Sequence, residues 1–561
     1  MAHPSPRSWA YRGLWNSLAR LVAPLSLIVA VVLAYANSLD GVFIYDDLSI
    51  IPVDPSIRKL WPVWDVLTAA HEPGSTIDGR PLVALSLAVS HATGGRPVHY
   101  HVFNLCVHLA AAMVLYGLIR RTLLLPGIPP SLGQRAAPIA LASAVLWGAH
   151  PLTTAAVTYI IQRAESLSAL CYLLTLYCLL RSATGRPTAV WSAAAVTACL
   201  LGVNAKETIV SAPIVCLLYD RAFLAGGFLA ALRKRWRLYV ALAGTGAVLA
   251  YHMISCGDRG GSVGFSTGRP MQYAMTELGV IAHYLRLAFW PAGLVLDYGW
   301  PAATNLRQIL PGALVVVPLA AATCWAMVRY PRWAVPAGMF FLVLAPTSSF
   351  FPMTDAAMDH RMYLPLACVT AAVVPAVVVM AQWLIRGSPT RRRGRVFGIL
   401  AAGAAAIALG LAGMTHARNE EYHDAIEAWT LTIRRLPWPN QRAHHSLGWH
   451  LLQAGRSQEA MAQFDIAARL RPDDFTVLVD RGNLNRDLGR LDQAVADHTR
   501  AIALCPGRWE LWFNRSVTLY RAGKFDQALA DLEQCQKLGG TVPESFRQTL
   551  TQATQRGGKG D

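Results

Sequence analysis

Charge is scarce in this sequence: 15% of its 561 residues are Asp, Glu, Lys or Arg, whereas 54% are hydrophobic. Soluble domains carry about 25% charged residues, so a soluble globular protein is excluded and an integral membrane protein is expected. Acid is scarcer than base, with 33 Asp and Glu against 50 Lys and Arg. The resulting formal charge of +17 does not point to nucleic acid, because no nucleic-acid motif is present and the basic residues stand in short clusters between apolar runs. In that position they act as topology signals. Paired cysteines are also missing. The ten Cys are scattered through apolar segments with no CxxC pair and no metal-type spacing; they read as small core residues and say little about redox compartment.

What is present is a series of apolar runs, at about 21–37, 99–119, 137–150, 165–180, 187–203, 208–224, 238–255, 310–328, 334–348, 363–385 and 396–415. Basic clusters fall at every second boundary: Arg120-Arg121 with Arg135, Arg181 with Arg186, Arg233 to Arg237, Arg329 with Arg332, and Arg386 to Arg395. The positive-inside rule then predicts about eleven spans, a cytoplasmic N-terminal tail over 1–20 and an outer C-terminal region. The scheme closes only if Tyr273 to Trp290, which holds Glu277, His283 and Arg286, lies on or re-enters the outer face. Its amphipathic pattern allows this. Ala34-Tyr35-Ala36 resembles a signal-peptidase site, but the apolar run is longer than a usual signal core and an uncleaved anchor is expected.

Phe43-Ile44-Tyr45-Asp46-Asp47 follows the first span directly. An adjacent carboxylate pair near lipid reads as a catalytic base, metal ligand or substrate contact, or else as a helix cap or solvated loop. The same topology puts Arg80, His150, Arg163, Glu165, Lys206, Glu207, Asp359, His360 and Arg361 on the outer side with it. His101, Asn104 and His108, at spacings of three, four and seven, share one face of the second span. Zinc is one reading of the two histidines; interhelical hydrogen bonding is the expected one.

After Thr415 a 34-residue period appears: Gly448 recurs at Gly482, Gly455 at Gly489 and Gly523, Ala460 at Ala494 and Ala528, and Pro472 at Pro506. This is tetratricopeptide spacing, in which each unit is a helix pair with small residues at the close approach. Stacked units present a concave face to peptide or protein. The domains are therefore placed at 21–416 (membrane domain), 417–545 (about three repeats plus a leading helix, Asn419 to Leu436) and 546–561 (a C-terminal tail, frayed over Gln555 to Asp561). The fold class is all-α: a polytopic helical bundle followed by a tetratricopeptide-repeat solenoid.

The ordered series of motifs resembles the transmembrane and tetratricopeptide-repeat O-mannosyltransferase group and its bacterial relatives. The matching residues are Phe43 to Asp47, Gly79-Arg80-Pro81-Leu82, His101 to Leu105 with His108, His150-Pro151, Thr158 to Glu165, Lys206-Glu207, Tyr284-Leu285-Arg286 with Pro291 and Asp297-Tyr298, and Asp359 to Pro365. The eukaryotic members tend to have Glu before the Arg where this chain has Asp359-His360-Arg361, and this chain has few repeats. The resemblance implies a GT-C-like transferase, probed by three needs: a base for the acceptor hydroxyl, cations for the departing phosphate, and a groove for the prenyl chain. It implies Asp46 and Asp47 as catalytic carboxylates and Arg163, Lys206 and Arg361 as donor-phosphate contacts. Arg80, His101, Asn104, His150, Glu165, Glu207, Asp359 and His360 support them. The expected donor is a polyprenyl-phosphate-linked mannose or other hexose, and the acceptor a polypeptide Ser or Thr, on the periplasmic side of a bacterial-type inner membrane. No cofactor is expected; a divalent ion at Asp46-Asp47 is the alternative. The competing class is a non-enzymatic scaffold or transporter, although a transporter is expected to show internal symmetry and charges deep within its spans, and neither is seen.

Overall fold

The computed structural model describes residues 6–72, 74–255 and 269–557, and every regular element among them is helical. The chain forms two compact units, one of Met1–Leu296 with Trp300–Asp424 and one of Asp297–Gly299 with Ala425–Asp561.

The first unit contains α1 (Pro6–Tyr35), α2 (Pro81–Ala92), α3 (Pro97–Leu123), α4 (Ala136–Gly148), α5 (Arg163–Thr184), α6 (Thr188–Val203), α7 (Ala212–Asp220), α8 (Phe228–Ser255), α9 (Pro270–Phe289), α10 (Leu306–Arg329), α11 (Pro331–Leu344), α12 (Tyr363–Leu384) and α13 (Thr390–Glu420). Proline opens α2, α3, α9 and α11, where its fixed φ suits the first turn and its missing N–H would have had no partner. All eleven expected apolar runs fall on helices. Among the described residues eight helical stretches are long and apolar enough to cross a bilayer, or nine if α4 and Pro151–Val157, a pair bent by 56°, form one span; α2, α6 and α11 are shorter apolar helices.

Large apolar side chains stand outward on α10 and α13, with Val328 76% and Leu409 75% exposed. Such continuous apolar surface suits lipid and not water, and the protein is a multi-pass membrane protein. Inside, polar side chains tie the helices together, as they do where lipid offers no alternative partner. His108 joins Tyr363 Oη through Nδ1 at 2.7 Å and Gly148 O through Nε2 at 2.9 Å. Thr158 donates to Asn419 Oδ1 at 2.7 Å, and Trp147 Nε1 donates to Tyr363 O at 2.7 Å. On α9 the buried positions Tyr273, Glu277, Val280, Ile281, Tyr284 and Leu287 repeat at helical spacing, so this segment is a one-sided helix as its pattern predicts. At the N-terminus the backbone is helical from Pro6 and continues into the first span.

The second unit begins with α14 (Ala425–Arg435) and continues through the pairs α15 (Gln441–Gln453) and α16 (Ser457–Leu470), α17 (Phe475–Asp487) and α18 (Leu491–Leu504), and α19 (Trp509–Arg521) and α20 (Phe525–Lys537). It ends with α21 (Glu544–Gly557). Gly455, Gly489 and Gly523 end the first helix of each pair at φ of 76°, 76° and 73°, the left-handed geometry that glycine adopts without penalty. Gly448 and Gly482 allow helix contact, because a Cβ there would sit 2.7 Å from the Phe464 ring and 2.7 Å from His498 Nε2. Partly buried ion pairs link these helices: within pairs, Arg481 meets Asp497 at 2.6 Å and Arg515 meets Asp531 at 2.7 Å, and between pairs Arg481 meets Asp465 at 3.1 Å.

One boundary differs from expectation. The leading repeat helix starts at Ala425 and not at Asn419, because α13 runs unbroken to Glu420 before the chain turns. Within the tail placed at 546–561, α21 continues to Gly557 and its Leu550 is buried against Leu519, Ala528 and Leu532; residues 558–561 lie outside the described residues.

Candidate functional site

The turn that carries the carboxylate pair is strained. Tyr45 has φ 49° and ψ −118°, and it is the one non-glycine residue with positive φ among the described residues. Strain of this kind persists only where the surroundings fix it, and it clusters at functional sites. Its consequence is that the short helix Asp46–Ile50 starts with its two carboxylates turned to different surroundings.

Asp47 faces inward. It is fully buried, its Oδ1 accepts from Ile161 N at 2.8 Å and its Oδ2 from Ile44 N at 3.2 Å. Burial pushes this carboxyl up to about 8, against the two backbone donors and Arg163, which act to lower it. Asp47 thereby pins the loop to the turn at Ile160–Gln162. Asp46 instead lines a cavity of about 290 Å³. Its backbone N donates to Tyr159 Oη at 3.1 Å, and Thr76 Oγ1 donates to its Oδ2 at 3.3 Å.

The same cavity is lined by Arg80, Gln162, Lys206, Glu207, His360 and Arg361, so residues more than 300 positions apart in sequence converge on one space. Two ion pairs set its cations. Lys206 Nζ lies 2.6 Å from Glu165 Oε2, and Arg80 Nη2 lies 3.1 Å from Glu207 Oε2 while its Nη1 donates to Thr76 O at 2.9 Å. Arg361 reaches the cavity with its guanidinium engaged: it donates to the carbonyls of Ala356 at 2.7 Å, Thr347 at 3.2 Å and Asp355. It thus braces the loop between α11 and α12, which contributes Met353, Thr354 and Asp355 to the lining.

Other expected site residues serve the scaffold. Arg163 is fully buried and does not line the cavity. It donates at 3.0 Å each to Ser86 O, Ser90 Oγ and Tyr100 O, and its guanidinium carbon lies 4.8 Å from the centre of the Phe103 ring. The expectation of a donor-phosphate contact at Arg163 therefore fails on geometry, since its donors are taken up by the protein. Asp47 departs in the same way from its expected direct part. His101 Nε2 is 3.2 Å from Gly41 O, a close approach that leaves no room for a Cβ at residue 41. Asn104 Nδ2 donates to Val157 O at 2.9 Å and Ile160 O at 3.2 Å. His150 Nδ1 caps the next turn by accepting from Leu152 N at 3.1 Å. Asp359 is buried and sits within electrostatic reach of Arg418 and Tyr422. Among the described residues, no three His, Cys, Asp or Glu side chains converge as metal ligands would.

Sequence reasoning missed Thr76 and the 353–355 loop as lining residues. Tyr45, Tyr159 and Gln162 lay inside motifs already singled out, but nothing in their spacing marked them as facing a cavity.

A tetratricopeptide-repeat family model matches residues 411–475 and 479–539. Over the longer chain, Protein O-mannosyl-transferase TMTC1 of Homo sapiens is 24% identical across 510 residues, covering 81% of this chain and 56% of the relative. Protein O-mannosyl-transferase Tmtc3 of Drosophila melanogaster is 23% identical across 573 residues, with 89% and 61% covered. Tmtc1 of Drosophila melanogaster is 26% identical across 305 residues, with 49% and 34% covered. The chain is similar to protein O-mannosyl-transferases and spans 34% to 61% of the length of these three.

Proposed function

We propose that this chain is a GT-C-type membrane glycosyltransferase that moves mannose or another hexose from a polyprenyl-phosphate carrier to a polypeptide Ser or Thr, with inversion, at the periplasmic face of a bacterial-type inner membrane. The observation that carries the reading is the cavity that holds the Asp46 carboxylate together with Arg80, Lys206 and Arg361. The names of the relatives supply the reaction class.

In this mechanism the acceptor oxygen attacks the anomeric carbon as the bond from that carbon to the phosphate oxygen breaks. The electron pair leaves with the polyprenyl phosphate, and Asp46 takes the hydroxyl proton. Lys206 and Arg361 stabilise charge that develops on the phosphate. Asp47 is a positioning residue: its hydrogen bonds to Ile44 and Ile161 hold the turn that presents Asp46. No step calls for a metal, and transfer should survive a chelator.

The test is Asp46→Asn in the purified full chain, assayed with polyprenyl-phosphate mannose and followed by mass spectrometry of the acceptor. Turnover should fall by roughly 10² to 10⁴, the usual share of a general base, with donor binding retained. Wild-type transfer by a folded D46N protein overturns the mechanism and favours the non-enzymatic scaffold.

A further inference from the structure

The helical bundle holds another cavity, of about 130 Å³, lined by Leu118 of α3, Leu176 of α5, Val215 of α7, Met339 of α11 and Ala371 of α12 among others. The two hydroxyls in its lining, on Thr122 and Tyr219, are hydrogen-bonded to each other, so neither calls for a polar guest. An apolar cavity of this order stays dry and takes up an apolar molecule. It is remote from the Asp46 carboxylate. α11 carries Arg332 in its first turn and ends at Leu344, just short of Thr347 in the Asp46 cavity, and a rise of about 1.5 Å per residue puts roughly 18 Å between those ends.

Arg332 is the one charged side chain among the described lining residues, and it is exposed. It donates through Nε to Ala222 O at 3.2 Å and through Nη1 to Gly127 O at 2.6 Å. Both acceptors are neutral, so its charge is uncompensated, and its Nη2 has no acceptor among the described residues. More base flanks the lining: Arg121 donates to Tyr177 Oη at 3.1 Å and Arg221 to Met327 O at 2.7 Å, again neutral acceptors. The nearby acid, Asp220, is taken by Arg235 at 2.7 Å. In the Asp46 cavity, by contrast, Arg80 and Lys206 each have a carboxylate. An apolar interior with a positive rim complements an acyl chain that carries an anionic headgroup. Trp333, next to Arg332 in the lining and 48% exposed, suits the headgroup level at which such rings settle.

We propose that this cavity binds one acyl chain of an anionic glycerophospholipid, with the headgroup phosphate on Arg332. The lipid is a resident of the bundle and not a substrate, because a phosphate on Arg332 lies too far from Asp46 to present a sugar there. Filling the cavity ties α3, α5 and α7 to α11 and α12. The site stands whether or not the chain is a transferase.

The test titrates the purified full chain, in detergent, with dioleoyl phosphatidylglycerol or dioleoyl phosphatidylcholine, which share their acyl chains and differ in headgroup charge. Bound lipid is counted by native mass spectrometry. Wild-type protein should hold phosphatidylglycerol about ten-fold more tightly than phosphatidylcholine, the size of one charge-assisted hydrogen bond. R332Q should bring the two lipids within about three-fold of each other, whereas R332K should keep most of the preference. A371F, which fills the cavity from α12, should weaken both lipids by about ten-fold or more. A372F, at another lining position, replaces it should A371F not purify as a monodisperse protein. Equal retention of the two lipids by wild type, or a preference that survives both R332Q and the filling variant, overturns the site. Displacement of phosphatidylglycerol by equimolar farnesyl phosphate also overturns it, since the cavity would then be a prenyl-chain site.

Discussion

At the scale of single residues, two neighbours of like chemistry have separate fates. Asp46 lines the cavity, while Asp47 is buried and accepts from Ile161 N at 2.8 Å. The difference yields a pH prediction. An unfolded Asp titrates near 3.9, whereas burial holds the folded Asp47 carboxyl up to about 8. Between these values the folded protein keeps a proton that the unfolded chain releases, so this residue's contribution to stability is full below about pH 4 and is lost as pH rises through 8. Asp47→Asn does not titrate and places an NH₂ group against a backbone donor, which should cost about 1–3 kcal/mol. In thermal unfolding, the deficit of D47N relative to wild type should shrink from pH 5 to pH 9; a deficit unchanged over that range means that the folded carboxyl is already ionised at pH 5. Arg163 gives a second prediction at this scale. R163A removes the buried donor to Ser86 O, Ser90 Oγ and Tyr100 O, at about 1.5–3 kcal/mol each for hydrogen bonds from a charged group. The yield of monodisperse protein should drop sharply, while donor affinity of the folded fraction stays within about three-fold. A selective loss of donor affinity with normal yield restores Arg163 as a phosphate contact. The residue types of this site were legible in the sequence, because charge at a span end is costly and draws notice. Their facing was not: Asp46 and Asp47 are adjacent, and the positive φ of Tyr45 that separates their surroundings leaves no mark in a tyrosine.

At the scale of elements, legibility followed periodicity. The 34-residue columns were visible because each encodes a physical need: Gly455, Gly489 and Gly523 end helices at positive φ, and Gly448 and Gly482 admit a neighbouring ring. The third pair meets the second need differently. Ser516 occupies that column and donates to Ala528 O at 2.7 Å, so the column reads as small and buried, not as glycine. A prediction follows for G482A, whose Cβ would lie 2.7 Å from His498 Nε2. Overpacking of this kind costs about 1–3 kcal/mol, and hydrogen exchange across Phe475–Leu504 should accelerate by about ten-fold or more relative to wild type. Unchanged exchange means that His498 swings aside without cost. The final helix was hidden because Glu544–Gly557 is mostly polar. Two apolar side chains one turn apart, Phe546 and Leu550, suffice to dock it on the last pair, and so small an amphipathic signal is lost in composition.

At the scale of the whole molecule, the convergence of Asp46, Arg80, Lys206, Glu207, His360 and Arg361 on one cavity was anticipated by sidedness alone. Alternating basic clusters assign every one of these segments to the same face, although the helices between them carry no hint of how they pack. Sidedness is therefore the premise that the transferase reading shares with the sequence, and it can be tested without an activity assay. In a background lacking the native cysteines, Gln458→Cys puts a thiol at an exposed position on α16, and Gly394→Cys puts one in open space within the basic stretch Arg391 to Arg395. Both additions are expected to be mild, since nothing lies within 4 Å of a Cβ at Gly394 and Gln458 is exposed. An impermeant thiol reagent applied to intact spheroplasts should label Q458C fully and G394C only after lysis. The opposite pattern puts the repeats in the cytoplasm and inverts the assignment of every loop. The Asp46 cavity would then face a compartment from which an outward-facing lipid-linked sugar cannot be drawn, and the periplasmic reaction would have to be given up.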